Sequence, residues 1–195
     1  MSEPKSSTDL PLIEFPDRHG WEAWLQQNHS ASPGVWLKLA KKGAPRATVT
    51  QAEAIEVALC FGWIDGQVGR VDDSFYRQRF TGRRPRSKWS QLNCRKALDL
   101  IDRGLMRPAG LAEVRRAQED GRWDAAYEPQ SAATVPPDFA TALAANPDAE
   151  AFFATLTGVR RYAFLYRIQD AKRPETRARR IERFVGLLAE GRTLN

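Results

Sequence analysis

Between residues 50 and 81 the sequence switches from a helical period to a period of two, and this switch restricts what the chain can fold into more than any other feature. Thr50 followed by Glu53 is a capping box, and Ala54, Ile55, Ala58 and Leu59 continue from it as an apolar stripe at helical spacing. Gly62 stands where a helix-terminating glycine belongs. Immediately afterwards, Trp63–Arg70 and Phe75–Thr81 flank Val71-Asp72-Asp73-Ser74, whose acidic and hydroxyl side chains suit a turn, so the two runs are expected to pair as a hairpin. Val35–Ala40, apolar on both sides toward its start, reads as a further strand. The expected fold is α+β, with a small antiparallel sheet of about three strands and a majority of helices.

The helices are marked by their punctuation. From Asp17 onward, Trp21, Trp24 and Leu25 recur at helical spacing until Ser32-Pro33-Gly34 breaks the pattern. Downstream, residues 90–103, 108–121, 136–146, 148–156, 160–171 and 174–190 read as helices, and Pro108, Pro136 and Pro174 each suit a first helical turn. Residues 1–12 have little to bury and read as a flexible tail. The loop Glu128–Val135 is the natural division between a mixed part, 13–128, and a helical part, 134–192.

Several functional classes are disfavoured by what the sequence lacks. No run approaches the ~20 apolar residues of a membrane-spanning helix, and no export signal opens the chain, so a cytoplasmic location is expected. Cys60 and Cys94 lack a C-x-x-C spacing, and with His19 and His29 they make no zinc pattern, so no metal or cofactor is expected. The nucleophile elbow, the phosphate loop, the zinc-protease helix and the dinucleotide fingerprint are all missing, which points to recognition rather than catalysis.

Charge gives the positive evidence. The net charge is +6, yet residues 74–98 hold eight Lys or Arg and no acid, leaving the remainder at −2. Such a window attracts anions. Alternation along the second hairpin strand should place Phe75, Arg77 and Arg79 on one face and Tyr76, Gln78 and Phe80 on the other. Trp63, Asp65, Arg79, Arg83, Arg84, Ser87, Trp89 and Asn93 form the first candidate site: guanidinium forks to grip phosphate or carboxylate oxygens, with an indole to stack on a planar group. The competing reading makes both tryptophans core and pairs the arginines with Asp72, Asp73 and other carboxylates. On the last helix, Ile181, Phe184, Val185 and Leu188 define an apolar face with Arg177 near its middle, Arg173 and Arg180 flanking it, and Arg179 and Arg183 pointing outward. A guanidinium there needs a partner, so Arg177, with Arg173, Thr176 and Arg180, either completes an anion pocket or bridges to Asp65.

The stretch Ala58-Leu59-Cys60-Phe61-Gly62-Trp63-Ile64-Asp65-Gly66, followed by Gln78-Arg79-Phe80, Arg83-Arg84-Pro85 and Ser87-Lys88-Trp89-Ser90, resembles the central signature of the YdeI/OmpD-associated, or bacteriocin-protection, family. The resemblance continues through Gly104-Leu105-Met106-Arg107-Pro108 to Lys172-Arg173-Pro174-Glu175-Thr176-Arg177-Ala178-Arg179-Arg180, covering roughly residues 13 to 192. It implies a link to bacteriocin or stress resistance and no established reaction. A binding protein for a small anionic ligand is therefore the leading expectation. The alternatives are a nucleic-acid-binding protein, using Phe75, Tyr76, Phe80 and Trp89 between the cations, and a protein-interaction module presenting an indole-rich face.

Overall fold

The computed structural model describes residues 10–130 and 132–194, so the expected tail lies outside the described residues through position 9. Strand β4 (Phe75–Gly82) organises the first part of the chain, because it is hydrogen-bonded along both edges. Strand β2 (Val35–Ala40) runs antiparallel on one side in six consecutive pairs, from Val35 opposite Phe80 to Ala40 opposite Phe75. Strand β3 (Trp63–Arg70) is antiparallel on the other side, with an irregularity between Asp65 and Val68. The turn forms as its residues suggest: Asp72 Oδ1 accepts the backbone N–H groups of Ser74 and Phe75, each at 2.8 Å.

The expected three strands are joined by a fourth, β1 (Leu12–Ile13), which lies parallel to β2 and gives the order β1-β2-β4-β3. It corrects the assignment of Leu12 to the tail. The Trp36 N–H donates to the Pro11 carbonyl at 2.9 Å, which fixes this segment to the sheet.

Val35, Leu37, Leu39 and Phe80 are buried on one face of the sheet together with helices α1 (Arg18–Asn28) and α2 (Gln51–Cys60). Both helices start on side-chain caps, Asp17 accepting from the Gly20 N–H at 2.9 Å and Thr50 with Glu53 forming the complete capping box. The buried indoles find carbonyls: Trp21 Nε1 donates to Ala54 at 3.1 Å and Trp63 Nε1 to His29 at 3.0 Å. Two further helices follow, α3 (Gln91–Asp102) and α4 (Pro108–Glu119). The start of α4 is set against the end of α2, where the Arg107 N–H donates to the Cys60 carbonyl at 3.1 Å. A Cβ at Gly110 would lie 2.4 Å from the Cys60 oxygen and 2.7 Å from that of Leu59, closer than any side chain tolerates.

The chain divides into two compact units, one running through Trp89 and resuming over Asn93–Ala125, the other comprising Ser90–Leu92 and the residues from Ala126 on. The second is helical: α5 (Pro137–Ala144), α6 (Pro147–Thr155), α7 (Gly158–Gln169) and α8 (Pro174–Ala189). Helix α5 starts one residue later than Pro136 suggested, since a residue preceding proline avoids the helical region, and Pro136 is accordingly extended at ψ 142°. Phe139, Phe153, Phe164 and Phe184 meet edge-on in its core, with ring centres 5.2 to 6.2 Å apart.

Two arginines of α8 close the end of α7. Arg177 Nη1 donates to the Ile168 carbonyl at 2.9 Å while its Nε and Nη2 hold both oxygens of Asp138, and Arg180 Nη1 donates to the Arg167 carbonyl. The last carbonyls of a helix have no partner within it, and here the following helix supplies one. The carboxylate that Arg177 meets is thus Asp138, in place of the expected Asp65. Arg177 in turn holds the Asp138 carboxyl below the usual carboxylate range.

Gly110→Ala should cost about 2 kcal/mol or more in thermal or denaturant unfolding, because the obstruction is backbone, whereas Gly186→Ala in α8, with nothing within 4 Å, should stabilise by roughly 0.5–1 kcal/mol. Arg177→Ala should cost about 1–2 kcal/mol, a charge-assisted pair discounted for partial exposure. Because the Asp138 pKa is depressed in the folded state, its contribution is present at neutral pH and lost as pH falls; a stability–pH curve of Arg177→Ala should be flatter than wild type below about pH 4.

Candidate functional site

The face of the sheet opposite α1 and α2 carries the basic side chains of β4. Its register places Arg79 across from Trp36 and Arg77 across from Lys38 on β2, with Phe75 on the same face. Phe75 is buried beneath Lys38, 4.2 Å from its ring centre, and Arg46, 4.9 Å from it. The Arg77 guanidinium lies 4.6 Å over the Trp36 ring. Glu14 answers two of these cations, meeting Arg46 at 2.6 and 2.8 Å and Lys38 at 3.2 Å, and the Arg46 hydrogen bonds hold its carboxyl down at about 2.

Among the described residues Arg77 and Arg79 meet no such carboxylate. Their side chains lie across two glycines of β3: a Cβ at Gly69 would stand 3.1 Å from Arg77 Nε, and one at Gly66 would stand 3.4 Å from Arg79 Nε and 3.6 Å from its Nη2. The Nε–Nη2 edge of the Arg79 guanidinium thus packs over the bare Cα of Gly66. Arg79 Nε is buried and has no hydrogen-bond acceptor among the described residues.

Asp65 lies on the other face, opposite Phe80, so the pleat separates it from Arg79. Its Oδ2 accepts from Gln78 Nε2 at 2.9 Å, and Gln78 Oε1 accepts from Gln51 Nε2 at 2.9 Å. Burial pushes the Asp65 carboxyl up, with its own backbone N–H, the nearby Arg83 charge and Gln78 acting in the opposite direction.

Beyond β4, Arg83, Ser87 and Trp89 build a pinned loop. The Arg83 N–H donates to the Gly62 carbonyl at 3.0 Å, its Nη1 to the Lys88 carbonyl at 3.1 Å, and its guanidinium lies 3.6 Å over the Trp89 ring. Trp89 is buried against Trp123, 5.0 Å away between ring centres. Arg122 Nη1 donates to the Ser87 carbonyl at 2.7 Å, and the Arg84 N–H to Ser87 Oγ at 2.9 Å. The loop so held exposes the side chains of Arg84 and Arg86. Asn93 sits half-buried in the first turn of α3, beside Cys94, whose thiol burial pushes up to about 11.

The expected pairing of the basic segment with Asp72 and Asp73 is not the one found, because Asp72 is engaged in the turn and Asp73 meets Arg70. Among the described residues, Arg77, Arg79, Arg84, Arg86 and Arg95 form no ion pair. Trp63 and Trp89 are core residues, each 1 % exposed, which removes the expected stacking rings. In the helical unit, Arg177 and Arg180 are engaged at the end of α7, Arg173 is exposed at the start of α8, and Thr176 is half-buried. Arg77, Gly66 and Gly69 were absent from the expected site; two glycines three residues apart within a strand were the available signal.

The comparisons with known proteins divide the chain in a similar way. A domain of unknown function (DUF8412) matches residues 13–113, and the model described as Bacteriocin-protection, YdeI or OmpD-Associated matches residues 132–191. The expected family is thus matched over the helical segment, while the residues read as its central signature lie within or beside the first match. No curated protein and no solved structure matches the chain. The chain belongs to the family defined by the DUF8412 domain of unknown function, and its residues 132–191 carry a bacteriocin-protection, YdeI or OmpD-associated domain.

Proposed function

We propose that this protein binds a small anionic ligand through the guanidinium groups of β4 and the loop that follows it. Arg79 carries the reading. Other buried polar atoms without a hydrogen-bond partner belong to groups otherwise engaged: Arg83 donates to the Lys88 carbonyl, Arg122 holds Asp120 and the Ser87 carbonyl, Glu113 meets Arg116, and Trp89 packs against Trp123. The Arg79 guanidinium makes no hydrogen bond among the described residues, and its Nε–Nη2 edge lies over Gly66. An oxyanion offers a fork the two parallel acceptors that it lacks. Arg77 on the same face and Arg84 and Arg86 on the pinned loop add positive potential and form no ion pair among the described residues.

The nucleic-acid reading loses its stacking surface, since Phe75, Phe80 and Trp89 are all buried and Tyr76 is only half-exposed. A cytoplasmic location and a role in bacteriocin or stress resistance accompany the proposal as expectations from the sequence and the family resemblance.

Thermal-shift and calorimetric titration with inorganic phosphate, a sugar phosphate and a short oligonucleotide tests the reading. A small anion should raise the unfolding midpoint, and Arg79→Gln should weaken its binding roughly tenfold or more, the value of one charge-assisted hydrogen bond. Gly66→Ala, which crowds the fork, should act in the same direction. An oligonucleotide that binds where small anions do not, or an unchanged affinity in Arg79→Gln, would overturn it.

A further inference from the structure

A second concavity in the same unit has a different chemistry. A cavity of about 270 Å³ is lined by Arg18, His19 and Glu22 of α1, Val57 and Cys60 of α2, and Arg103 and Leu105 at and beyond the end of α3. Arg18 and Glu22 stand one helical turn apart, a spacing at which opposite charges ordinarily pair. Here they do not. Arg18 Nη1 is drawn to Glu56 at 3.3 Å, Glu22 Oε1 is held by Arg107 Nη2 at 2.7 Å, and the space between them stays open. Glu56 is shared with Lys96, also at 3.3 Å, and Arg103 meets Asp99 at 2.9 Å.

These outer partners leave inner ones unused. Among the described residues, Arg18 makes no hydrogen bond from Nε or Nη2, and Glu22 Oε2 accepts none. The wall thus offers an anion-binding fork and a cation-binding oxygen one turn apart, above a floor of Val57, Leu105 and the Cys60 thiol. Burial pushes that thiol up to about 11, so the floor is uncharged at neutral pH. The surrounding cations, Arg18, Lys96, Arg103 and Arg107, are nearly matched by Glu22, Glu56 and Asp99. A dianion gains little in such a setting, whereas a molecule carrying both charges finds a partner for each.

We infer that this cavity binds a small zwitterion of the α-amino-acid class with a short apolar side chain. Its carboxylate would lie on Arg18, its ammonium on Glu22, and its side chain against Val57 and Leu105. A cavity of this size, just below the roughly 300–1,000 Å³ usual for ligand sites, suits a molecule no larger.

Calorimetry and thermal shift on the full chain, with L-leucine, isovalerate and isoamylamine as probes, decide the matter. Leucine should bind at roughly millimolar concentration, and each truncated analogue should bind at least tenfold more weakly because it forgoes one charge-assisted contact with the wall. Glu22→Gln should abolish the preference for leucine over isovalerate. Leu105→Trp, which fills the cavity while leaving every ion pair in place, should abolish binding even if the charge variant proves too unstable to measure. Phosphate should not displace leucine. No response to leucine, equal binding of isovalerate, a persistent response in Leu105→Trp, or displacement by phosphate would each overturn the inference.

Discussion

Because β4 is hydrogen-bonded along both edges, none of its residues can choose its face. The ladder with β2 fixes the register over six pairs, and a slip by one residue would carry Phe80 out of the core and Arg79 into it. The hydrophobic demand of one face thereby dictates where the basic residues of the other must stand. The Trp21, Trp63 and Phe80 rings, packed edge-on at 5.6 to 6.3 Å, set that demand. Arginines at 77 and 79 follow from it as a geometric consequence, and their shared exposure to one side is as firmly determined as the core itself.

Much of this was legible in local sequence because local chemistry decides it. The capping box, the Asp72 turn and the period change at Gly62 each act within a few residues, and the strands Val35–Ala40 and Trp63–Arg70 lie where the pattern put them. What escaped depends on distant partners. A two-residue strand such as Leu12–Ile13 has no period to detect and exists only because β2 offers a free edge. Arg177 was recognisable as a guanidinium in need of a partner, but Asp138 stands 39 residues away, and spacing on one helix cannot select it over Asp65. Asp65 and Arg79 look like neighbours in the signature, yet the pleat puts them on opposite faces, a relation fixed by the β3–β4 register. The cavity beneath Arg18 drew on residues from three separate elements and left no contiguous trace.

Arginine serves three separable purposes in this chain, and charge alone does not distinguish them. Arg177 and Arg180 answer the open carbonyls at the end of α7. Arg83 and Arg122 hold successive carbonyls of the loop at Lys88 and Ser87 and fix its shape. Their planar forks are suited to such work, and a lysine would supply the charge without the geometry. Arg77 and Arg79 do neither. A basic window therefore overstates the binding surface, since part of its charge is already committed to the fold.

Arg79 is costly where it stands. A buried donor without an acceptor is unfavourable by about 1–3 kcal/mol, and glycine within a strand by roughly 0.5–1 kcal/mol at each position. Gly66 and Gly69 with Arg79 Nε together approach a few kcal/mol, a sizeable fraction of the ~5–15 kcal/mol that holds a domain folded. A larger residue at Gly66 and a glutamine or threonine at position 79 would relieve the cost without disturbing the core face, because both positions point away from it. A local arrangement that lowers stability where a simple alternative exists is a physical reason to seek function there. On that reasoning the buried Arg79 Nε without an acceptor, packed over Gly66, weighs more than the surrounding positive charge, which solubility alone can account for.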